Sequence, residues 1–189
     1  AKQQRYVVIK ATAATLDFAA VMAAASRVYA PFDKQYPGAS ARMLKAARSA
    51  WAWAQQHPNV IYRQPDDVRT GGYDDATVDD EFAWAAAELY VSTREDAFYD
   101  AMLARNVHAS VPGWSNVGGL AWMSLAAHRD QLTPHADRAR IEGEISGLAQ
   151  RLGDQWQASP WRLAMADNDF VWGSNAVVLN QAMMLLQGY

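Results

Sequence analysis

The chain has no cysteine in its 189 residues. That excludes disulfides, thiol catalysis and cysteine-held zinc, and leaves the compartment open. Charge is also scarce, at 20% of residues with a net of −3, and no block of like charge occurs. A nucleic-acid partner would need a basic patch, so none is expected. No run of about 18 apolar residues is present, which argues against a membrane span. The four histidines, His57, His108, His128 and His135, form no H-x-x-x-H pair, and no HExxH is found. They are expected on the surface or at helix ends. The G-x-S-x-G and P-loop signatures are missing too. The opening AKQQRYVVIK lacks the pattern of a signal peptide. No cofactor is expected.

Extended runs are few: Tyr6-Val7-Val8-Ile9 and Val60-Ile61-Tyr62. Most of the remainder has helical periodicity. The spacing predicts helices over 12–30, 40–56, 78–93, 95–105, 115–128, 134–157 and 173–189. Ser40 and Thr133 stand where N-caps are expected, and Pro31, Pro37-Gly38, Pro58 and Pro112-Gly113 mark turns. Small residues recur on the helix faces, among them Ala13, Ala14, Ala85, Ala86, Gly118 and Gly119. The fold class is therefore all-α, as one segment built from antiparallel helical hairpins. The last helix is apolar on most of its circumference, through Val177, Val178, Leu179, Met183, Met184, Leu185 and Leu186. Such a helix needs neighbours on several sides, so further chain is expected beyond Tyr189.

The stretch Thr70–Tyr90, TGGYDDATVDDEFAWAAAELY, organises the rest. A loop carrying Tyr73, Asp74 and Asp75 runs into a helix opened by Asp79-Asp80-Glu81. Phe82, Ala85, Ala86 and Leu89 then share one helix face. Polar groups on a loop held by a rigid element are the usual construction of a binding site. The acidic run could offer oxygen ligands to calcium, although it lacks the EF-hand spacing. Asp74 and Glu81 could be read as a glycosidase carboxylate pair. Capping at a positive helix end accounts for Asp79, Asp80 and Glu81 without either role.

Eight tryptophans and eight tyrosines fill a core or line a groove that stacks flat rings. Trp51, Trp53, Trp84 and Trp122 lie inside helices and suit the core. Trp114, in PGWSNVGG, and Trp172, in NDFVWGSN, stand at loop-to-helix junctions, as Tyr73 does. Three aromatics at three helix starts suggest one end of the fold lined for stacking.

Several segments together resemble the central part of glycoside hydrolase family 9, the cellulase family. They are ATAATLDFAAVMAAASRVYAPFD, MLKAARSAWAWAQQHP, TGGYDDATVDDEFAWAAAELY, WSNVGGLAWMSLA and FVWGSNAVVLNQAMMLL, in collinear order. The resemblance implies an (α/α)6 barrel of six hairpins, of which about half the helices are present. It implies inverting hydrolysis of β-1,4-glucosidic bonds in cellulose or cello-oligosaccharides by the intact protein. The family's DAGD-type base motif and its downstream acid motif do not occur in the chain, so the catalytic residues are expected outside it and the fragment alone inactive. Tyr73, Asp74, Trp114 and Trp172 match cleft positions and are the expected substrate-binding residues. The expected partners are a β-glucan or oligosaccharide, and the remaining half of the barrel or a second copy. A secreted or periplasmic location is expected. A self-contained helical binding domain, or another six-hairpin carbohydrate-active enzyme, is the alternative.

Overall fold

A computed structural model describes residues 9–67 and 75–189. Seven α-helices follow one another: α1 Thr12–Tyr29, α2 Ala39–Gln56, α3 Asp79–Thr93, α4 Asp96–Leu103, α5 Gly118–Ala127, α6 Arg138–Ala158 and α7 Ser174–Gly188. Among the described residues there is no strand, only an isolated bridge between Gly113 and Asn116. The Val60–Tyr62 run is irregular; the Thr12 N–H donates to Val60 O at 2.9 Å, which ties it to the start of α1. The Tyr6–Ile9 run falls, except for Ile9, outside the described residues.

The helices form a curved double layer. α1 packs on α3, α3 on α5, and α5 reaches α7; α2, α4 and α6 return the chain on the other side against α1, α3 and α5. Alanine makes this close approach possible. Ala19, Ala20, Ala23, Ala47, Ala54, Ala83, Ala85, Ala86 and Ala87 are all fully buried. α3 is the middle of the arc. Eleven of its fifteen residues are buried, including Phe82, Leu89 and Tyr90, and a helix enclosed on every side needs such a sequence. Trp51 and Trp122 join the core as their positions predict, while Trp53 and Trp84 are only partly buried.

Two expected caps are different in the structure. α2 opens after Gly38, whose φ of 68° is in the left-handed region. Ser40 instead donates its hydroxyl to Ser26 O at 2.7 Å, joining α2 to α1. α6 starts four residues later than its pattern suggests, because Asp137 is the cap and accepts from the Arg140 N–H at 2.9 Å. Thr133 is engaged elsewhere: its hydroxyl meets Tyr90 Oη at 2.7 Å and Asp96 Oδ1 at 2.5 Å. Ser40 makes a tertiary contact, and Thr133 adds two to its local bond from the His135 N–H at 3.3 Å; local propensity reports none of these tertiary contacts.

Both ends of the arc leave apolar side chains in the open. Phe18, Val21 and Val28 of α1, and Leu179, Met183 and Leu186 of α7, are exposed. The apolar circumference of the last helix is thus only half covered, with Met184 buried.

Candidate functional site

The starts of α1, α3, α5 and α7 come together at one end of the arc. A cavity of about 430 Å³ there is lined by Ala13 and Asp17 of α1, Val78 and Glu81 at the head of α3, Asp75, and Trp114 ahead of α5. Trp172, ahead of α7, does not line the cavity but lies against Trp114. Its ring lies 5.9 Å from that of Trp114, at 73°. The two rings are 72% and 85% exposed, respectively. Two large aromatics so far out of the core present faces that a ligand can cover.

The Trp114 loop is held from several sides. The Gly113 N–H donates to Asn116 O at 2.8 Å. Asn116 Oδ1 accepts from the Ser110 hydroxyl at 3.0 Å and from the Gly118 N–H at 3.1 Å. Asp80 Oδ2 accepts from the Val117 N–H at 2.8 Å. From α7, Asn180 Nδ2 donates to Pro112 O at 2.9 Å. The next residue, Gln181, is buried and donates to Ala164 O at 3.2 Å in the segment that delivers Trp172. Neighbouring residues of α7 therefore anchor both tryptophan loops. Gly118 and Gly119 let the 107–112 segment lie directly on the first turn of α5, where any side chain would collide with it.

The acidic residues do not cap α3, whose start makes no side-chain cap. Asp79 pairs with Arg105 at 3.1 Å, and that guanidinium lies 3.7 Å from the Phe82 ring centroid. Asp80 holds the Trp114 loop. Glu81 is 4% exposed, and among the described residues its Oε2 has no hydrogen-bond partner; Oδ1 of Asp17 is in the same condition. Burial, then the negative charge of Asp80, pushes the Glu81 carboxyl far above the carboxylate range. Asp17 rises from 3.8 to about 6, by burial first and then by the charges of Asp80 and Asp75. The sequence offers Glu81, as part of the acidic run, but does not mark Asp17. Asp17 lies among alanines 64 positions before Glu81, and only packing of α1 on α3 brings them to one cavity.

The raised Asp17 carboxyl has a consequence for stability. The folded state keeps a proton that the unfolded chain releases near pH 3.8, so stability should fall as pH rises from about 4 through about 6. The side chain is partly open to water, which screens the effect to about 1 kcal/mol. Asp17→Asn should remove this component, so thermal melts from pH 4 to 7 should flatten relative to the parent. Parallel curves would mean that Asp17 titrates normally.

Of the four residues expected to bind substrate, Trp114 and Trp172 are brought together; Tyr73 and Asp74 lie outside the described residues. Asp74 takes the proposed Asp74–Glu81 pair with it. Among the described residues, no group of three His, Asp or Glu is disposed to hold a metal ion. The histidines sit at helix ends or on exposed pairs: His57 after α2, His128 after α5, His108 with Glu144, and His135 with Asp100.

Comparison with known proteins extends the geometry. The model of glycosyl hydrolase family 9 matches residues 1–189. The chain is 36% identical, over 205 residues, to the xyloglucan-specific endo-beta-1,4-glucanase BoGH9A of Bacteroides ovatus, covering 100% of this chain and 34% of that protein. A metagenome-derived glycoside hydrolase family 9 endoglucanase superposes with a TM-score of 0.86 at 30% identity, over 99% of this chain and 34% of that one. The structure of AaCel9A in complex with cellobiose-like isofagomine superposes with a TM-score of 0.82 at 32% identity, over 95% of this chain and 34% of that one. The chain spans about a third of the length of these relatives.

Proposed function

Because the chain belongs to glycosyl hydrolase family 9 and forms part of that family's (α/α)6 barrel, we propose that the protein containing it hydrolyses β-1,4-glucosidic bonds of cellulose, cello-oligosaccharides or a related glucan, with inversion. In such a reaction one carboxylate activates water and a carboxylic acid protonates the leaving oxygen. Those two groups lie outside this chain, and the chain supplies the floor on which the sugar is held. The observation that carries the reading is the pair of exposed, mutually perpendicular rings Trp114 and Trp172, at the end where the inner helices start. Pyranose rings have apolar faces that stack on such surfaces. The relatives fit this: BoGH9A is named as a xyloglucan-specific endo-beta-1,4-glucanase, and AaCel9A is in complex with cellobiose-like isofagomine.

The exposed apolar faces of α1 and α7 are covered, in this reading, by the rest of the barrel or by a second copy of the chain. We propose a secreted or periplasmic location, since a polymeric glucan is met outside the cytoplasm. Tyr73 and Asp74 are proposed to contact the substrate as well, on their match to the family's motif alone.

In the full-length protein, Trp114→Ala and Trp172→Ala should each raise KM for cello-oligosaccharides by about tenfold. Both rings are exposed, so the melting temperature should stay within about 2 °C of the parent. Release of reducing sugar and thermal melts measure the two quantities. No hydrolysis of any β-1,4-glucan by the parent would overturn the reading; unchanged KM in both variants would remove the tryptophans from it.

A further inference from the structure

Exposed aromatics at this end of the fold extend beyond Trp114 and Trp172. The 159–173 segment that delivers Trp172 also carries Trp161, 82% exposed, and Phe170, 59% exposed. Among the described residues neither ring has an aromatic, cationic or hydrogen-bonding partner. Trp156 is different: the Arg162 guanidinium lies 5.1 Å from its ring centroid. The backbone around Trp161 is fixed even though its ring is not. The Arg162 N–H donates to Ser159 O at 3.1 Å, Arg162 Nη1 to Gln157 O at 3.2 Å, and the Leu163 N–H to Ser159 Oγ at 3.4 Å. A large apolar ring is thus held in water by an ordered turn.

Trp161 and Phe170 line a depression of about 480 Å³ with Ser159, Gln155 and Asp167. A second depression, of about 500 Å³, shares Gln155 and Ala166 with it and runs to Pro112 and Gly113, the residues before Trp114. The two depressions therefore adjoin, and the inner one ends at the backbone that leads into Trp114. Its chemistry suits a neutral sugar chain. Ring faces cover the C–H faces of pyranoses, and amide, hydroxyl and carboxylate groups meet the hydroxyl edges. Charge is sparse and of mixed sign on the two depressions: among the described residues Asp167 lines the outer one, and Arg151 and Asp169 the inner one.

We propose that Trp161 and Phe170 form an outer stacking platform for distal sugars of a β-glucan chain whose inner units lie at Trp114 and Trp172. The proposal rests on the substrate reading above and extends it to chain-length preference. An enzyme with such a platform binds a long oligomer more tightly than a short one by the added contact.

The test is binding of three-unit and six-unit cello-oligosaccharides to the full-length protein, followed by calorimetry or tryptophan fluorescence. Trp161→Ala should shrink the preference for the six-unit over the three-unit oligomer by about fivefold. Trp161→Tyr should restore most of it, and the melting temperature should hold. Trp114→Ala should weaken both oligomers. A parent that binds both, with an unchanged preference in Trp161→Ala, would sink the platform and leave the substrate reading standing. A marked fall in melting temperature would make Trp161 a packing residue and overturn the proposal too. A parent that binds neither oligomer overturns both readings.

Discussion

Glu88→Ala should cost about 3–5 kcal/mol of stability, the loss expected when one partner of a buried ion pair is removed. Glu88 is in the middle of α3, the most enclosed helix, with a side chain 5% exposed. Its Oε2 accepts from Arg27 Nη2 of α1 at 2.5 Å. Oε1 accepts from Trp84 Nε1 at 3.2 Å and from the hydroxyl of Ser124 in α5. Arg27 Nη1 also donates to Glu88 O at 3.1 Å and to Ser92 Oγ at 2.5 Å. One carboxylate thus satisfies donors from its own helix and from two neighbouring ones, α1 and α5. Its removal leaves a guanidinium, an indole N–H and a hydroxyl short of an acceptor in low dielectric. Denaturant unfolding of the full-length protein measures the loss. The double variant Arg27→Met/Glu88→Leu should recover much of it, since the stranded charge goes as well. A Glu88→Ala cost under about 1 kcal/mol would show that the network is solvated and incidental.

This junction explains which features the sequence carries openly. The seven helices are legible because a helix facing a core repeats its apolar residues every three to four positions, and α3 does so through Phe82, Ala85, Ala86 and Leu89. Trp114 and Trp172 are legible as a pair of like residues in like places: each precedes a helix, in a turn rich in Gly, Ser and Asn. Their meeting at 5.9 Å, although 58 positions apart, follows from α5 and α7 starting at the same end of the arc. Polar residues that join helices are a different matter. Glu88, Asp80, Ser40 and Thr133 each have a plausible local role, and each is committed to a distant segment. Local pattern cannot separate a cap from a tie, because the same short polar side chain serves both. Asp17 and Glu81 become a site only once α1 lies on α3. Trp161 was equally hidden. A tryptophan after proline in an irregular segment has no periodicity to show whether it points inward or outward.

Gly119→Ala should be the most damaging change to the binding end, with a cost of about 3 kcal/mol. A methyl group there would lie 2.0 Å from Ser110 O and 3.1 Å from Ser110 C. Both atoms are backbone, so no side-chain rotation relieves the collision. The 107–112 segment would have to lift from the start of α5. That would strain the hydrogen bond from Asn180 to Pro112 O and the turn between Gly113 and Asn116. Trp114 is carried by that turn, so its approach to Trp172 would go too. The expected result is a lower melting temperature together with a rise in KM at least as large as that of Trp114→Ala. Gly143→Ala and Gly153→Ala are the controls. Both glycines lie within α6, and a methyl group would meet nothing within 4 Å at either. Alanine there should stabilise by about 0.5–1 kcal/mol through helix propensity alone and leave KM unchanged. If Gly119→Ala behaved like these two, the close approach of the Trp114 loop to α5 would not exist in solution, and the rigidity argued for the tryptophan pair would fall with it.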